Sequence, residues 1–489
     1  MVKINQIKTY FIILITTLSI FFSYVTLFSF PLRFSFILAF PFFFFEKKNF
    51  NKQLYLISII VIFLFFLEAM FVNLSVNNLG LKSIISNIEN KGIFYNFLKQ
   101  KILELGIIFY LIIFVFYYHN IIRQNLKTII NLFLIIFFLS SIYFVYNNPL
   151  FIKTFYTCTT GFFNLSKFIY LENSHFFLIS IPVILYILVN LDLYFKSPLY
   201  LLLGLYLLIF CILNQTSAYF IIVFLSSILI LFLNDNKLSK QNIIIFIFLL
   251  LNTIYFFNIK NCESIDSEIY QKCITANNTN CNENYFGGGL LSPKNKIYDT
   301  GIKLLLSNDN QTKDVEENKY MKNYDGKNYP NIVTDDRKGR LNISISVLIY
   351  SIINSLESLK KYPLGVGINQ YQITHELSFN RYLIENDLYF SKIYDNLALN
   401  FLSLNKTGGS LNFSKLLAEF GIFSFVIFFS LIYLSLSKKM TFEEKVFYVT
   451  LLFIQISFRG TGYFNNGFIF VLIFTLLILV KKNENIKKK

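Results

Sequence analysis

Chemistry in this chain would rest on four short stretches where glutamate, histidine or arginine stands beside apolar segments. They are Glu172-Asn173-Ser174-His175; Gly339-Arg340 with Pro363-Leu364-Gly365-Val366-Gly367 after it; Leu417-Ala418-Glu419-Phe420-Gly421; and Arg459-Gly460-Thr461-Gly462-Tyr463. A guanidinium binds phosphate oxygens through paired hydrogen bonds, and a histidine or carboxylate can take a proton from a hydroxyl. Each stretch also has a structural reading. Glu172 and His175 lie one helical turn apart and can pair or cap a helix, and Arg340 can be a surface arginine in a charged loop. Glu419 can satisfy a polar neighbour, and Arg459 can snorkel to headgroups. His119 and His375 are expected to be solvated. The chain has no Walker loop, dinucleotide glycine fingerprint, HExxH or metal-spaced carboxylate pair. Arginine, glutamate and histidine close to a membrane surface fit a lipid diphosphate, whose charged group sits at headgroup depth.

The elements that must position these residues are read from hydropathy. Hydrophobic residues make up 55% of the 489 and charged residues 15%, with mean hydropathy +0.55; a soluble chain carries about a quarter charged residues. Phe and Tyr are abundant and Trp is absent, a bias that also resembles AT-rich codon usage, so Asn and Lys runs carry little functional weight. Spanning a bilayer takes about 20 mostly apolar residues. Windows of that kind predict an all-α polytopic membrane protein with about 12 transmembrane helices. They fall near 10–30, 31–45, 54–72, 102–118, 128–146, 175–194, 198–213, 217–233, 243–258, 414–436, 445–458 and 463–480. The first lacks a small-residue cleavage site and reads as a retained anchor.

Lysines and arginines set the orientation. Eighteen lie on the side holding the N-terminus, among them Arg123, Lys127, Lys196, Lys240 and Lys445, against eight in the short loops opposite. Both termini are therefore expected in the cytoplasm, and the net charge of +16 reads as orientation signal drawn to anionic lipid, with no need for nucleic acid. The chain divides into a membrane domain over 1–259 with about nine spans, a large extracytoplasmic loop over 260–413, and a second membrane domain over 414–489 with about three spans and a basic tail. The loop carries 17 basic and 17 acidic residues. Cys262, Cys273 and Cys281 in it, and Cys158 on the same face, favour a disulfide brace over metal binding because no histidine lies near them. Their pairing stays open, and Cys211 falls within a span. Ile345, Leu348, Ile349, Ile352, Leu356 and Leu359 recur at helical spacing and predict an amphipathic helix near 343–361, closed by Pro363. Its apolar stripe suits either a protein core or a membrane interface.

The same stretches resemble the bacterial O-antigen polymerases, with O-antigen ligases as cousins. Glu172-Asn173-Ser174-His175 is similar to an E-P-S-H stretch opening a middle span, with Asn173 in place of Pro. Gly339-Arg340, a helix and then Tyr362-Pro363-Leu364-Gly365-Val366-Gly367 is similar to the family's G-R, helix, P-L-x-G-x-G run. Leu417-Ala418-Glu419-Phe420-Gly421 resembles its L-A-E-x-G entry to the next span, and Arg459-Gly460-Thr461-Gly462-Tyr463 its R-G-x-G-Y. The architecture is matched along the whole chain, the motifs over a few dozen residues. Ligases commonly carry a His-Asn pair where this chain has Ser410 and Leu411, which favours the polymerase.

The resemblance implies a metal-independent glycosyltransferase of the C superfamily, without cofactor, in the bacterial inner membrane with its large loop periplasmic. It would join oligosaccharide repeat units carried on undecaprenyl diphosphate into O-antigen or a similar polysaccharide, with a chain-length regulator as a candidate partner. Arg340 would meet the leaving diphosphate, with Arg459 as second choice; His175 or Glu172 would serve as base, and Glu419 would position an arginine or a sugar hydroxyl. Tyr463, Ser174, Gly365 and Gly367 would line the substrate. The alternatives are an O-antigen ligase and, as a non-enzyme, a flippase of lipid-linked oligosaccharide. Flippases and other transporters commonly show internal repeats with broken helices, which are absent here.

Overall fold

A computed structural model of the chain describes residues 2–22, 25–27, 30–43, 59, 93–147, 173–213, 217–233, 239–258, 343–367, 371, 374, 411–435 and 440–457. These are mostly helical, and the chain divides into one compact unit of Met1–Ile254 with Phe423–Lys489 and another of Tyr255–Ile422.

In the first unit, α1 (Val2–Phe21) packs against a 3-10 helix over Leu32–Ala39, which runs into the short α2 (Phe40–Phe43). A two-stranded antiparallel hairpin, β1 (Thr26–Leu27) and β2 (Phe30–Pro31), turns the chain between them, with Thr26 opposite Pro31. The expected second span, 31–45, is thus not a continuous α-helix where described. Pro31 stands before the tighter helix and Pro41 lies within α2, and neither can donate a backbone N–H. Ser19 and Ser35 hold this pair together, their hydroxyls 2.7 Å apart, and Ser35 also donates to the Ile15 carbonyl at 2.7 Å. Small side chains let the two backbones approach closely.

Two long helices follow, α3 (Ile93–Gln124) and α4 (Leu126–Asn147). Their segments Gly106–Gln124 and Leu126–Phe144 are the two described stretches long and apolar enough to cross a membrane. Five further helices are described before residue 259: α5 (Asn173–Val189), α6 (Leu191–Phe195), α7 (Pro198–Leu213), α8 (Ser217–Leu233) and α9 (Lys240–Asn258). The packing is aromatic: Phe21 stacks on Phe133 at 4.3 Å between centroids, and Phe137 on Phe176 at 5.3 Å. Large apolar side chains also face outward, including Leu199 and Leu202 on α7 and Phe246 and Leu251 on α9.

The second unit contributes α10 (Ile343–Lys361) and α11 (Asn412–Phe420), packed on each other. Returning to the first unit, α12 (Phe423–Ser435) and α13 (Phe442–Ser457) follow, α13 lying against α5 and α8. The expected span 414–436 is therefore two helices. They break at Gly421, whose φ of 54° with ψ of −132° is a conformation that side-chain-bearing residues avoid.

Three pairs join helix ends that carry basic residues. The Arg123 guanidinium is bidentate on Glu444, at 2.7 and 2.8 Å; the Lys127 ammonium lies 5.3 Å from the Tyr194 ring centroid; Lys240 pairs with Asp192. Glu444 also closes a capping box at the start of α13. Its carboxylate accepts the Thr441 N–H at 3.0 Å, and the Thr441 hydroxyl accepts the Glu444 N–H at 3.3 Å.

Candidate functional site

The site is built on a backbone clasp in the second unit. Pro363 ends α10 because a proline cannot supply the next helical N–H, and Gly365 N–H turns back to the Tyr362 carbonyl at 2.8 Å. The Pro363–Gly367 segment then lies along the end of α11. Val366 N–H donates to Ala418 O at 3.0 Å, Gly367 N–H to Glu419 O at 2.9 Å, and Ile422 N–H to Pro363 O at 2.8 Å. Two of the stretches picked out by sequence, some fifty residues apart, thus bond main chain to main chain. Glycine is needed on both sides. Gly365 (φ 87°) and Gly421 (φ 54°) sit so close that a Cβ on Gly365 would lie 2.7 Å from the Gly421 nitrogen, and nearer still to the Glu419 carbonyl. Gly367 has φ 97°.

The clasp fixes Glu419, whose side chain is buried. Its Oε1 accepts the Tyr371 N–H at 3.2 Å and lies 3.8 Å from the Lys415 ammonium, itself buried one turn earlier on α11. A buried carboxylate needs such partners, since desolvation of an unpaired charge costs several kcal/mol. The Tyr371 hydroxyl meets Ser351 Oγ at 3.1 Å, and burial pushes this phenol up to about 12, although its contacts with Ser351, Asn354 and Ser355 pull the other way. Ser355 bonds both its own helix, at Ser351 O (2.8 Å), and α11, at Ser414 O (2.7 Å). Ser358 meets Thr374 at 3.2 Å.

The face of α10 that packs on α11 and Tyr371 is thus its polar one: Ser351, Asn354, Ser355 and Ser358 are buried, while Ile352 and Leu356 are exposed. Of the two roles open to the apolar stripe, these side chains do not take the core one.

His175, in the first unit, is buried in the opening turn of α5, where Ser174 also lies. Nearby on the same helix, Phe177 packs its ring 5.3 Å from Tyr219 of α8, whose hydroxyl donates to Asn252 of α9 at 2.7 Å. On α13, Gln455 is wholly buried with neither amide atom hydrogen-bonded among the described residues. His119, expected to be solvated, is half-buried on α3, its Nδ1 2.9 Å from Phe116 O. Glu172, Arg340, Arg459, Tyr463, His375 and the cysteines other than Cys211 lie outside the described residues. Cys211 is a buried free thiol on α7. Among the described residues no group of three or more His, Cys, Asp and Glu side chains gathers as a metal site.

Lys415, Tyr371 and Gln455 were not found from sequence. Lys415 had a usable signal, its spacing of four from Glu419 on one helix. Tyr371 had none, since its link to Glu419 is a backbone N–H. Chemically, the unit-two arrangement holds the Glu419 carboxyl group beside the Lys415 amino group on a main-chain scaffold. No protein-family model, no curated protein and no solved structure matches this chain.

Proposed function

We propose that this protein is a multi-span membrane glycosyltransferase that polymerises lipid-linked oligosaccharide repeat units, similar in plan to the O-antigen polymerases. The clasp between Pro363–Gly367 and Ala418–Ile422 carries the reading. Two motif stretches of the resemblance, remote in sequence, are one local structure with Glu419 at its centre. Membrane residence is supported by the two membrane-capable helices and by the outward apolar side chains of α7 and α9. The finer plan of about 12 spans, a C-superfamily fold, an inner-membrane location and a periplasmic loop belongs to the same proposal.

In the reaction, an acceptor sugar hydroxyl attacks the anomeric carbon of the donor glycan. The bond from that carbon to the diphosphate oxygen breaks, the new glycosidic bond forms, and undecaprenyl diphosphate leaves with the bonding pair. The hydroxyl proton goes to His175 or Glu172, and the leaving charge is met by Arg340, with Arg459 in support. Glu419, held by Tyr371 and Lys415, orients an arginine or a sugar hydroxyl.

A deletion strain complemented with variants tests this. Loss of the polymerase should leave single repeat units on the outer core, and Arg340→Ala should reproduce that state with the protein still inserted. Normal long-chain glycan from Arg340→Ala would refute the assignment. Bare lipid A-core with polymer on the carrier would indicate a ligase, and units trapped on the cytoplasmic leaflet a flippase.

A further inference from the structure

The inverted packing of α10 carries a further conclusion. In water a helix between protein and solvent buries its apolar stripe, because each large aliphatic side chain gains about 1.5–3 kcal/mol on leaving water. Here Ser351, Asn354, Ser355 and Ser358 face the protein at 5% exposure or less, while Ile352 is 37% and Leu356 44% exposed. Leu348, Ile353 and Leu359 are half-buried, and Leu364, just beyond the helix, is 51% exposed and extends the apolar surface. Over residues 351–358 the usual order is reversed, with four polar side chains inward and Ile352 and Leu356 outward, as suits an outer medium less polar than water.

We propose that α10 lies in the plane of a bilayer interface, with Ile352, Leu356 and Leu364 in the acyl region and its serine face on the protein. Two observations select lipid over a second protein. Lys360 and Lys361 stand exposed at the end of the stripe, Lys360 bonded to Glu357 at 3.0 Å and the Lys361 ammonium 5.6 Å from the Tyr362 ring centroid, where exposed cations on long stems lie within reach of headgroup phosphates. Among the described residues the patch also comprises only three exposed aliphatic side chains, Ile352, Leu356 and Leu364, far short of the roughly 20–30 residues a side of a stable protein interface. This rests on the membrane reading above, which supplies the bilayer, but not on the glycosyl-transfer chemistry. Its consequence for the site is one of depth: Glu419 and Tyr371, across the serine face, are held near headgroup level.

The absence of tryptophan makes the test direct. Full-length Leu356→Trp and Ile352→Trp proteins, each in phosphatidylcholine–phosphatidylglycerol nanodiscs, are compared with Phe246→Trp on the outward face of α9. Lipids brominated near the headgroup end of the acyl chain should quench the indole emission of Leu356→Trp and Ile352→Trp more than lipids brominated near its tip, and both emissions should be blue-shifted. If Phe246→Trp is quenched while Leu356→Trp and Ile352→Trp are not, the proposal fails and the membrane reading stands. A blue shift in Leu356→Trp without bromine quenching would mean that protein covers the stripe, and also overturns it. If none of the three is quenched, both readings fall together.

Discussion

Replacing Gly365 with alanine probes the clasp on which the site depends. The new Cβ would stand 2.7 Å from the Gly421 nitrogen and well inside contact distance of the Glu419 carbonyl, and both obstacles are backbone. No rotamer change can relieve the clash, so the two segments must part. The residue also sits at φ 87°, which costs a side-chain-bearing residue about 1–2 kcal/mol. Parting the segments removes the Val366–Ala418 and Gly367–Glu419 bonds, worth about 1 kcal/mol each and more if the groups stay buried. The sum is about 3–5 kcal/mol, at the upper end of single-residue effects. A shift of about 1 Å at Glu419 would in addition cost on the order of a hundredfold in rate if its placement matters for transfer. Thermal unfolding and limited proteolysis of the purified full chain read the first effect, and glycan length in the complemented deletion strain reads the second. Gly106→Ala is the control: its Cβ would meet nothing within 4 Å, and stability should hold. If Gly365→Ala melts with the parent protein and supports full-length glycan, the clasp does not have the geometry described.

Two other outcomes follow from the ionisable groups. In a double-mutant cycle of Arg123→Ala and Glu444→Ala, the pair should couple by about 1–2 kcal/mol, a bidentate contact discounted for partial exposure. Glu444→Ala should also cost more than Arg123→Ala, because it removes the cap of α13 as well; equal losses would count against the capping role. Tyr371 is an acid whose pKa rises on folding, from 10.0 to about 12, so its contribution is complete below pH 10 and lost as pH rises through that window. Tyr371→Phe should therefore lose about 2–3 kcal/mol less than the parent between those two values, measured as the difference between their melting profiles. Parallel profiles would contradict the burial of the phenol.

The helix at 343–361 was legible because its apolar residues recur at 3.6-residue spacing and Pro363 ends the pattern. Which face it buries was not, since periodicity separates two faces without naming the medium on either side. Serines at Ser351, Ser355 and Ser358 pack on α11 and its neighbours because their hydroxyls find carbonyl or hydroxyl partners there, which no local sequence pattern encodes. Hydropathy also ran through Gly421 as though 414–436 were one helix. A sliding average cannot register a single residue whose conformation redirects the chain. Glu419 stood out as a carboxylate beside an apolar run, but its fixation depends on Gly365 and Tyr371, each about fifty residues distant, and long-range backbone bonding leaves no local trace.

The bond from Ile422 N–H to Pro363 O has a bearing on how such a chain can change over evolutionary time. It pins the two ends of residues 364–421 at 2.8 Å, so that stretch enters and leaves the molecule through a single gate. One residue added between Pro363 and Gly367 would slip the register of every bond in the clasp. Sequence change is therefore least tolerated at these doorposts, where both residue type and spacing fix the bonds.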